Sequence, residues 1–102
     1  GEYILESREN NEFVGRAGFA PFQDDFEVGY VLLKKYWGQD LAQESLTALL
    51  NFAKQNLQLP RIIGFAPLAH IASQKVLQKC GMTFYQQAIG HGIECKFYQY
   101  IF

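Results

Sequence analysis

Hydrophobic and polar residues follow two different periods in the stretch from residue 27 to residue 54. The first part, EVGYVLL from Glu27 to Leu33, is rich in β-branched and aromatic residues, and this pattern predicts a strand with one apolar face: Phe26, Val28, Tyr30 and Leu32. The second part repeats apolar residues at helical spacing and predicts a helix that buries Ala42, Leu46, Leu49, Leu50 and Ala53. A short loop joins them. Because a helix N-terminus presents unpaired N–H groups and the positive end of its dipole, this junction suits a phosphate or pyrophosphate.

The chain before this junction predicts a β-hairpin. Its strands are expected at Tyr3 to Ser7 and Phe13 to Ala20, and a turn is expected from Pro21 to Asp25. Gly15 and Gly18 within the second strand predict a bulge or a close backbone approach instead of a flat ladder.

The chain after the junction predicts one more helix and three more strands. The helix is expected from His70 to Cys80, with Gly81 at its C-terminal cap and one apolar face: Ala72, Val76, Leu77 and Cys80. The strands are expected at Arg61 to Ala66, Met82 to Gln87 and Ile93 to Phe102, with Gly90-His91-Gly92 in the last loop. The predicted fold is therefore a single α+β domain over residues 1–102, in the order β-β-β-α-β-α-β-β.

Composition excludes several classes of protein. A chain of 102 residues, 49% hydrophobic and with a net charge of −1, predicts a globular domain and argues against a dedicated nucleic-acid binder. No apolar run reaches membrane-spanning length, and no signal peptide is visible. Cys80 and Cys95 fit no metal or redox motif, so we expect free buried thiols in a reducing cytoplasm. The chain opens with Gly1 and runs straight into strand-like sequence, which is typical of a fragment.

The motifs in their order resemble the core of the GNAT superfamily of N-acetyltransferases, in its ribosomal-protein alanine acetyltransferase branch. The matching residues run from Phe13 to Met82: Glu27-Val-Gly-Tyr30, Tyr36-Trp-Gly-Gln39, Leu41-Ala42-x-Glu44, Ala48-Leu-Leu50, Phe52-Ala53, Leu59-x-Arg61-Ile62, Ala72-Ser73 and Val76-Leu77-x-Lys79-x-Gly81. The resemblance implies a mainly antiparallel sheet that splays between the strands at Glu27 and Arg61, with acetyl-CoA in the resulting V. It also implies acetyl transfer to an amine without a metal.

The resemblance assigns cofactor-binding roles to two groups of residues. In the junction loop and the helix start, backbone N–H groups would hold the pyrophosphate: Gly38, Gln39, Asp40, Leu41 and Ala42. On the strand, Val31 and Leu33 would pair with the amide-bearing arm of CoA as an added strand does. The family usually has glycine in place of Asp40 and asparagine in place of His70. Asp40 is a good helix N-cap, yet a carboxylate near a pyrophosphate weakens its binding.

Two residues are catalytic candidates. Glu27 shares its strand face with Gly29, Val31 and Leu33, so its carboxylate can accept the amine proton directly or through water; an ion-paired surface role is the alternative. Ser73 matches a serine that protonates the departing thiolate in this branch, although a hydrogen bond to the preceding turn is common for helix serines. Since Leu77 stands where many relatives have a tyrosine, Ser73 is expected to be the sole local donor. Tyr30 is assigned to the core.

Two histidines have open roles. His70 could contact the cofactor in place of the usual asparagine, act as a base or begin the helix, and we favour a cap or surface role. His91, between two glycines, could lie near the acceptor mouth, although a turn role is the default interpretation.

The sequence therefore predicts an N-acetyltransferase that uses acetyl-CoA and acts on a primary amine, either a protein N-terminus or a small amine. The alternative is a degenerate domain that binds acyl-CoA or a protein partner without turnover, as Asp40, His70 and the lack of the family's N-terminal elements suggest. An uncovered sheet edge also predicts a homodimer. A Rossmann-type nucleotide-binding domain is excluded, because the chain has neither the Gly-x-Gly-x-x-Gly pattern nor the alternating βαβ order.

Overall fold

The structure, a computed structural model, describes residues 2–6, 13–32 and 40–102. These residues form six strands and two helices: β1 (Glu2–Glu6), β2 (Phe13–Phe22), β3 (Asp25–Leu32), α1 (Leu41–Asn56), β4 (Arg61–Pro67), α2 (Ile71–Lys79), β5 (Thr83–Gly90) and β6 (Ile93–Ile101). The predicted α+β order of strands and helices is confirmed. Ser7 and Leu33, which were expected to end the first and third strands, lie outside the described residues.

All six strands belong to one sheet, in the order β1-β2-β3-β4-β6-β5. Four of its five neighbouring pairs are antiparallel, and β3 with β4 is the parallel pair. In the described chain, β3 and β4 share a single register pair, Glu27 with Ile63, although the strands continue to Leu32 and Pro67. The sheet is therefore mainly antiparallel and opens between these two strands, as the family resemblance implies.

The core lies on the face of the sheet that carries both helices. Helix α1 buries four of the five side chains expected from its period, Leu46, Leu49, Leu50 and Ala53, against residues of β2, β3 and β4 such as Ala17, Val28, Ile62 and Ala66. The fifth, Ala42, is half-buried because it lies in the first turn of the helix. The opposite face carries a smaller cluster of Ile63, Cys95 and Phe97, with Phe22, Phe65, Tyr85 and Ala88 packed against it. Cys80 and Cys95 are both free thiols, and Cys95 is buried.

The buried face of α2 differs from its prediction. Ala72 is exposed, whereas Gln74 is 5% exposed and lies in the core. The amide of Gln74 donates hydrogen bonds of 3.0 Å to the carbonyls of Pro67 and Leu68. A polar side chain can be buried there because both amide hydrogens have acceptors. Gln74 thus fixes α2 to the end of β4. Gly81 is the expected C-terminal residue, with a left-handed φ of 90°.

Two boundaries were wrong for reasons of turn geometry. The turn expected from Pro21 to Asp25 is confined to residues 23–24, because Gln23 adopts a φ of 55° and β2 continues to Phe22. The last hairpin turns at His91 and Gly92, both at positive φ, so β5 continues to Gly90. The irregularity expected in β2 is seen opposite Gly15, where the β1–β2 register shifts, but Gly18 lies in a regular ladder.

A side-chain network ties the first residues of the parallel strands together. Arg61 donates from Nε and Nη2 to the two carboxylate oxygens of Asp25, at 3.0 and 2.9 Å, and from Nη1 to Gln99 at 2.7 Å. Its guanidinium also lies 4.9 Å from the centre of the Tyr85 ring. Hydrogen bonding to Asp25 raises the pKa of Arg61 above its ordinary value. This network joins β3, β4, β5 and β6 at the closed end of the V.

Candidate active site

The open end of the V faces the start of helix α1. Asp40 is the N-cap of this helix, Leu41 and Ala42 are its first residues, and the Glu44 N–H already donates to the Asp40 carbonyl at 3.0 Å. The N–H groups before Glu44 have no partner within a helix, so the helix start offers donors to an anion. Val31 lies in the part of β3 beyond Glu27, where β4 has moved away. The residues present therefore fit an elongated phosphate-bearing ligand.

Asp40 does not cap the helix with its side chain, which corrects the favourable interpretation of this residue. Its backbone is left-handed, at φ 59° and ψ 10°, and its exposed carboxylate makes no cap hydrogen bond. Side-chain capping requires an extended backbone at this position, so the carboxylate cannot reach the helix amides. The same φ explains why glycine is usual at this place in the family, since glycine adopts it without steric cost. Aspartate is one of the few other residues that tolerate it.

A cleft of about 400 Å³ lies beside β3. Ten residues line it: Arg16, Ala17, Gly18, Phe19, Glu27, Val28, Gly29, Tyr30, Phe65 and His91. Gly18 and Gly29 are directly opposite each other in the β2–β3 ladder. A Cβ built on Gly29 would have no neighbour within 4 Å. These two glycines thus leave the floor of the cleft without side chains. Gly29 is two residues from Glu27, on the same face of β3.

The carboxylate of Glu27 closes one end of this floor. Its side chain is 14% exposed, and its Oε1 lies 2.9 Å from Nε2 of His91. By strand alternation Glu27 and Gly29 face away from the helices, whereas Val28 is in the helix-side core. Glu27 is also the residue that pairs with Ile63. A largely buried carboxylate therefore stands where the parallel strands begin to separate.

Ser73 lies on the helix side of the same opening. Its Oγ is 2.5 Å from Nδ1 of His70, which occupies the N-cap position of α2. Burial raises the pKa of Tyr30, and a side-chain hydrogen bond with Ser73 partly offsets the increase. Tyr30 packs against the core as expected. That Ser73 is the sole local donor stays a prediction.

The structure groups the candidate residues into three places. Asp40, Leu41 and Ala42 lie at the start of α1, His70 and Ser73 meet at the start of α2, and Glu27 stands on the opposite sheet face. Three other cofactor candidates, Leu33, Gly38 and Gln39, lie outside the described residues. Sequence reasoning placed His91, between two glycines, near the acceptor mouth only as the alternative to a turn role; the structure puts it in the turn and 2.9 Å from Glu27. Nothing in the sequence pointed to Phe65, because one more aromatic residue in a buried strand is ordinary.

The described ranges hold neither a metal site of this kind nor a membrane-spanning helix. Residues 2–6, 13–32 and 40–102 contain no cluster of three or more His, Cys, Asp or Glu side chains arranged to hold a metal ion. Neither described helix is both long and apolar enough to cross a membrane.

Sequence comparison identifies relatives of the chain. The chain is 29% identical over 86 residues to the uncharacterized protein YkkB of Bacillus subtilis, and the match covers 80% of this chain and 50% of YkkB. It is 33% identical over 60 residues to the FsC-acetyl coenzyme A-N(2)-transacetylase of Aspergillus fumigatus, which covers 59% of this chain and 26% of that enzyme. The chain thus spans half or less of the length of these relatives.

Structural comparison and the family model agree. The crystal structure of an acetyltransferase of the GNAT family from Bacillus anthracis superimposes with a TM-score of 0.88 at 24% identity, covering 98% of this chain and 65% of that one. At this identity the superposition establishes the fold. The model of the acetyltransferase (GNAT) domain matches residues 1–83, which is most of the chain. The chain therefore belongs to the GNAT acetyltransferase domain family.

Proposed function

We propose that this domain transfers the acetyl group of acetyl-CoA to a primary amine. The observation that carries the proposal is the position of Glu27, a largely buried carboxylate at the point where β3 and β4 separate and at the end of a glycine-floored cleft. A carboxylate there can attract an ammonium group and accept its proton. The relative that acts as an acetyl coenzyme A-N(2)-transacetylase supports a nitrogen acceptor.

Acetyl-CoA would lie in the open V. The start of α1 supplies backbone N–H groups at Leu41 and Ala42 for the pyrophosphate, together with the loop residues Gly38 and Gln39. The amide-bearing arm would extend beside Val31 and Leu33, replacing the ladder that β4 does not provide. His70 and Ser73 would then lie near the sulfur end of the arm.

The proposed reaction places a base and an acid on opposite faces of the sheet. Glu27 takes a proton from the ammonium, and the neutral amine attacks the thioester carbonyl, forming a C–N bond. The C–S bond breaks, and the thiolate takes a proton from the hydroxyl of Ser73 or Tyr30; the second proton leaves the acylated nitrogen through water and restores that hydroxyl, and Glu27 releases its proton to solvent. The raised pKa of Tyr30 keeps its phenol protonated and therefore able to donate. The products are an N-acetylated amine and CoA, without a metal.

The acceptor and the wider context are also part of this proposal. The motifs favour the ribosomal-protein alanine acetyltransferase branch, and the proposed acceptor is a primary amine, either a protein N-terminus or a small amine. We propose a cytoplasmic enzyme that forms a homodimer. Within the described sheet β1 has β2 as its one neighbour, so its outer edge can pair with a second copy. Sedimentation that shows only monomer at high concentration would count against the dimer.

The deciding experiment compares Glu27→Gln with the unchanged protein. CoA release is measured with acetyl-CoA and a panel of alanine- and serine-initiated peptides and polyamines. Loss of the base should lower kcat by roughly 100- to 1,000-fold and leave acetyl-CoA affinity, measured by calorimetry, unchanged. An equal rate in the variant would exclude Glu27 as the base.

A matched control tests the cleft. Gly29→Val adds a side chain to a position where a Cβ meets nothing within 4 Å, so folding should be unaffected. The variant should raise KM for the amine and leave acetyl-CoA binding unchanged.

A second candidate function is acyl-CoA binding without turnover, which the carboxylate of Asp40 at the helix start favours. Tight acetyl-CoA binding with no CoA release from any acceptor would establish it in place of catalysis. Absence of both binding and release would overturn both functions.

A further inference from the structure

The turn between β5 and β6 fixes the position of the imidazole of His91. His91 and Gly92 have φ of 49° and 83°, which is the geometry of a tight two-residue hairpin. Gly90, just before it, is buried, and a Cβ there would lie 2.5 Å from the Phe65 ring. Only glycine therefore lets this turn approach Phe65 so closely.

The imidazole of His91 is held on two sides. Its ring centre lies 5.1 Å from that of Phe65 and 5.9 Å from that of Phe22. Its Nε2 meets Oε1 of Glu27 at 2.9 Å, across 64 residues of sequence. The Glu27 side chain is 14% exposed and that of His91 is 65% exposed, so the histidine connects a sheltered carboxylate to solvent.

This arrangement is more than a turn requires. Histidine is among the non-glycine residues that adopt a left-handed backbone most often, so the turn tolerates it, although Asn-Gly is the preferred sequence for such a hairpin. The turn thus permits the histidine, and the contact of its Nε2 with Glu27 is what this side chain adds.

We infer that His91 is the positioning residue of the Glu27 base. By binding Oε1, the imidazole fixes the carboxylate and directs Oε2 into the glycine-floored cleft. This inference rests on the proposed function, since it assigns a role within that reaction.

Other charged and polar groups lie on the same face as the pair. Arg16 of β2 lines the same cleft, and Asp25 of β3 lies two residues before Glu27 in its ion pair with Arg61. The thiol of Cys95 of β6 donates to the Gly90 carbonyl at 3.8 Å, next to the turn that carries His91.

The test uses two variants of His91. His91→Asn suits the left-handed turn but is too short to reach Glu27 in the same way, whereas His91→Gln keeps a reaching N–H donor that does not titrate. We expect His91→Asn to lower kcat about tenfold, with an unchanged melting temperature and unchanged KM for acetyl-CoA. His91→Gln should recover much of kcat. Turnover of His91→Asn equal to that of the unchanged protein would overturn the inference.

A measurement that does not need turnover separates this inference from the proposed function. The ¹⁵N resonance of His91 Nε2 should move in Glu27→Gln, because the anionic acceptor is replaced by a neutral one. A protein that shows this shift but releases no CoA has the pair without the proposed reaction. An unmoved resonance shows that the pair does not form, whatever the activity.

Discussion

The two ends of the parallel pair β3–β4 are built in opposite ways. At the end where both strands begin, Asp25 and Arg61 form a two-point ion pair that Gln99 extends to β6. At the other end the described strands have no register pair after Glu27 and Ile63, and a helix start follows each strand. Side chains hold the first end together, whereas the second end leaves backbone and helix amides open to a ligand.

This difference explains how the sheet stays folded although β3 and β4 separate along most of their length. One register pair is a weak connection between two strands, so the position of β4 relative to β3 depends on other contacts. The Asp25–Arg61 network supplies them at the closed end, and the core beneath α1 supplies them on one face. The gap at the open end can then persist in the absence of acetyl-CoA, which reduces the ordering that binding must impose.

The largest expected effect at the open end comes from Asp40. A carboxylate about 5 Å from a pyrophosphate charge costs roughly 3 kcal/mol at an effective dielectric of about 20, before screening. Asp40→Gly should therefore tighten acetyl-CoA binding by roughly 10- to 100-fold in a calorimetric titration. The left-handed φ of 59° suits glycine, so the helix start should keep its geometry.

Asp40→Asn separates charge from backbone freedom. Asparagine also tolerates a left-handed backbone and has nearly the same shape, but it carries no charge. If the charge is the cause, Asn and Gly should tighten binding equally. Unchanged affinity in both variants would mean that the phosphates do not approach the start of α1.

Replacing Arg61 tests the side-chain network of the closed end. Arg61→Ala removes three hydrogen bonds and the contact with the Tyr85 ring, and it leaves Asp25 without its partner. Because both side chains are partly exposed, we expect a loss of about 1.5 kcal/mol in the free energy of unfolding, measured with urea. Acetyl-CoA affinity should also fall, because β4 would no longer be fixed relative to β3.

Arg61→Lys is the matched control, since it keeps the charge without the planar fork that binds both oxygens of Asp25. Arg61→Lys should lose part of the free energy of unfolding that Arg61→Ala loses, and its acetyl-CoA affinity should fall less. If Arg61→Ala lost stability with no change in affinity, the closed end would not control the width of the open end.

The order of elements could be predicted from sequence because each element has a strong local pattern. The period of α1 identified all four of its core residues, and Gly81 marked the end of α2. The buried Gln74 escaped prediction, since its place in the core depends on two carbonyls of a preceding loop. The hairpin turns were predicted to be longer than they are, because Gln23 and His91 adopt a positive φ that cannot be predicted from their residue types.

The candidate site was predictable only where its residues belong to one local segment. Glu27 and the start of α1 follow from strand alternation and helix period. The contact between Glu27 and His91 joins residues 64 positions apart, and no sequence pattern states that they meet.

The smallest expected effect is a loss of folding stability at high pH, to which two tyrosines contribute: Tyr30 at the open end and Tyr85 at the closed end. Burial raises the pKa of both phenols above 10.0; Ser73 partly offsets this for Tyr30 and the charge of Arg61 does so for Tyr85. The unfolded chain therefore loses these protons at lower pH than the folded chain does. Stability is fully present below pH 10 and falls as pH rises through the folded pKa values, by about 1.4 kcal/mol per unit of difference.

Urea unfolding between pH 8 and pH 11 measures this decline. Tyr30→Phe and Tyr85→Phe should each flatten the curve, because the replaced residue has no proton to lose. In Arg61→Ala the charge that eases ionisation of Tyr85 is gone, so the Tyr85 contribution should grow while that of Tyr30 stays the same. Equal changes at both tyrosines would mean that the two ends of the sheet are not electrostatically separate.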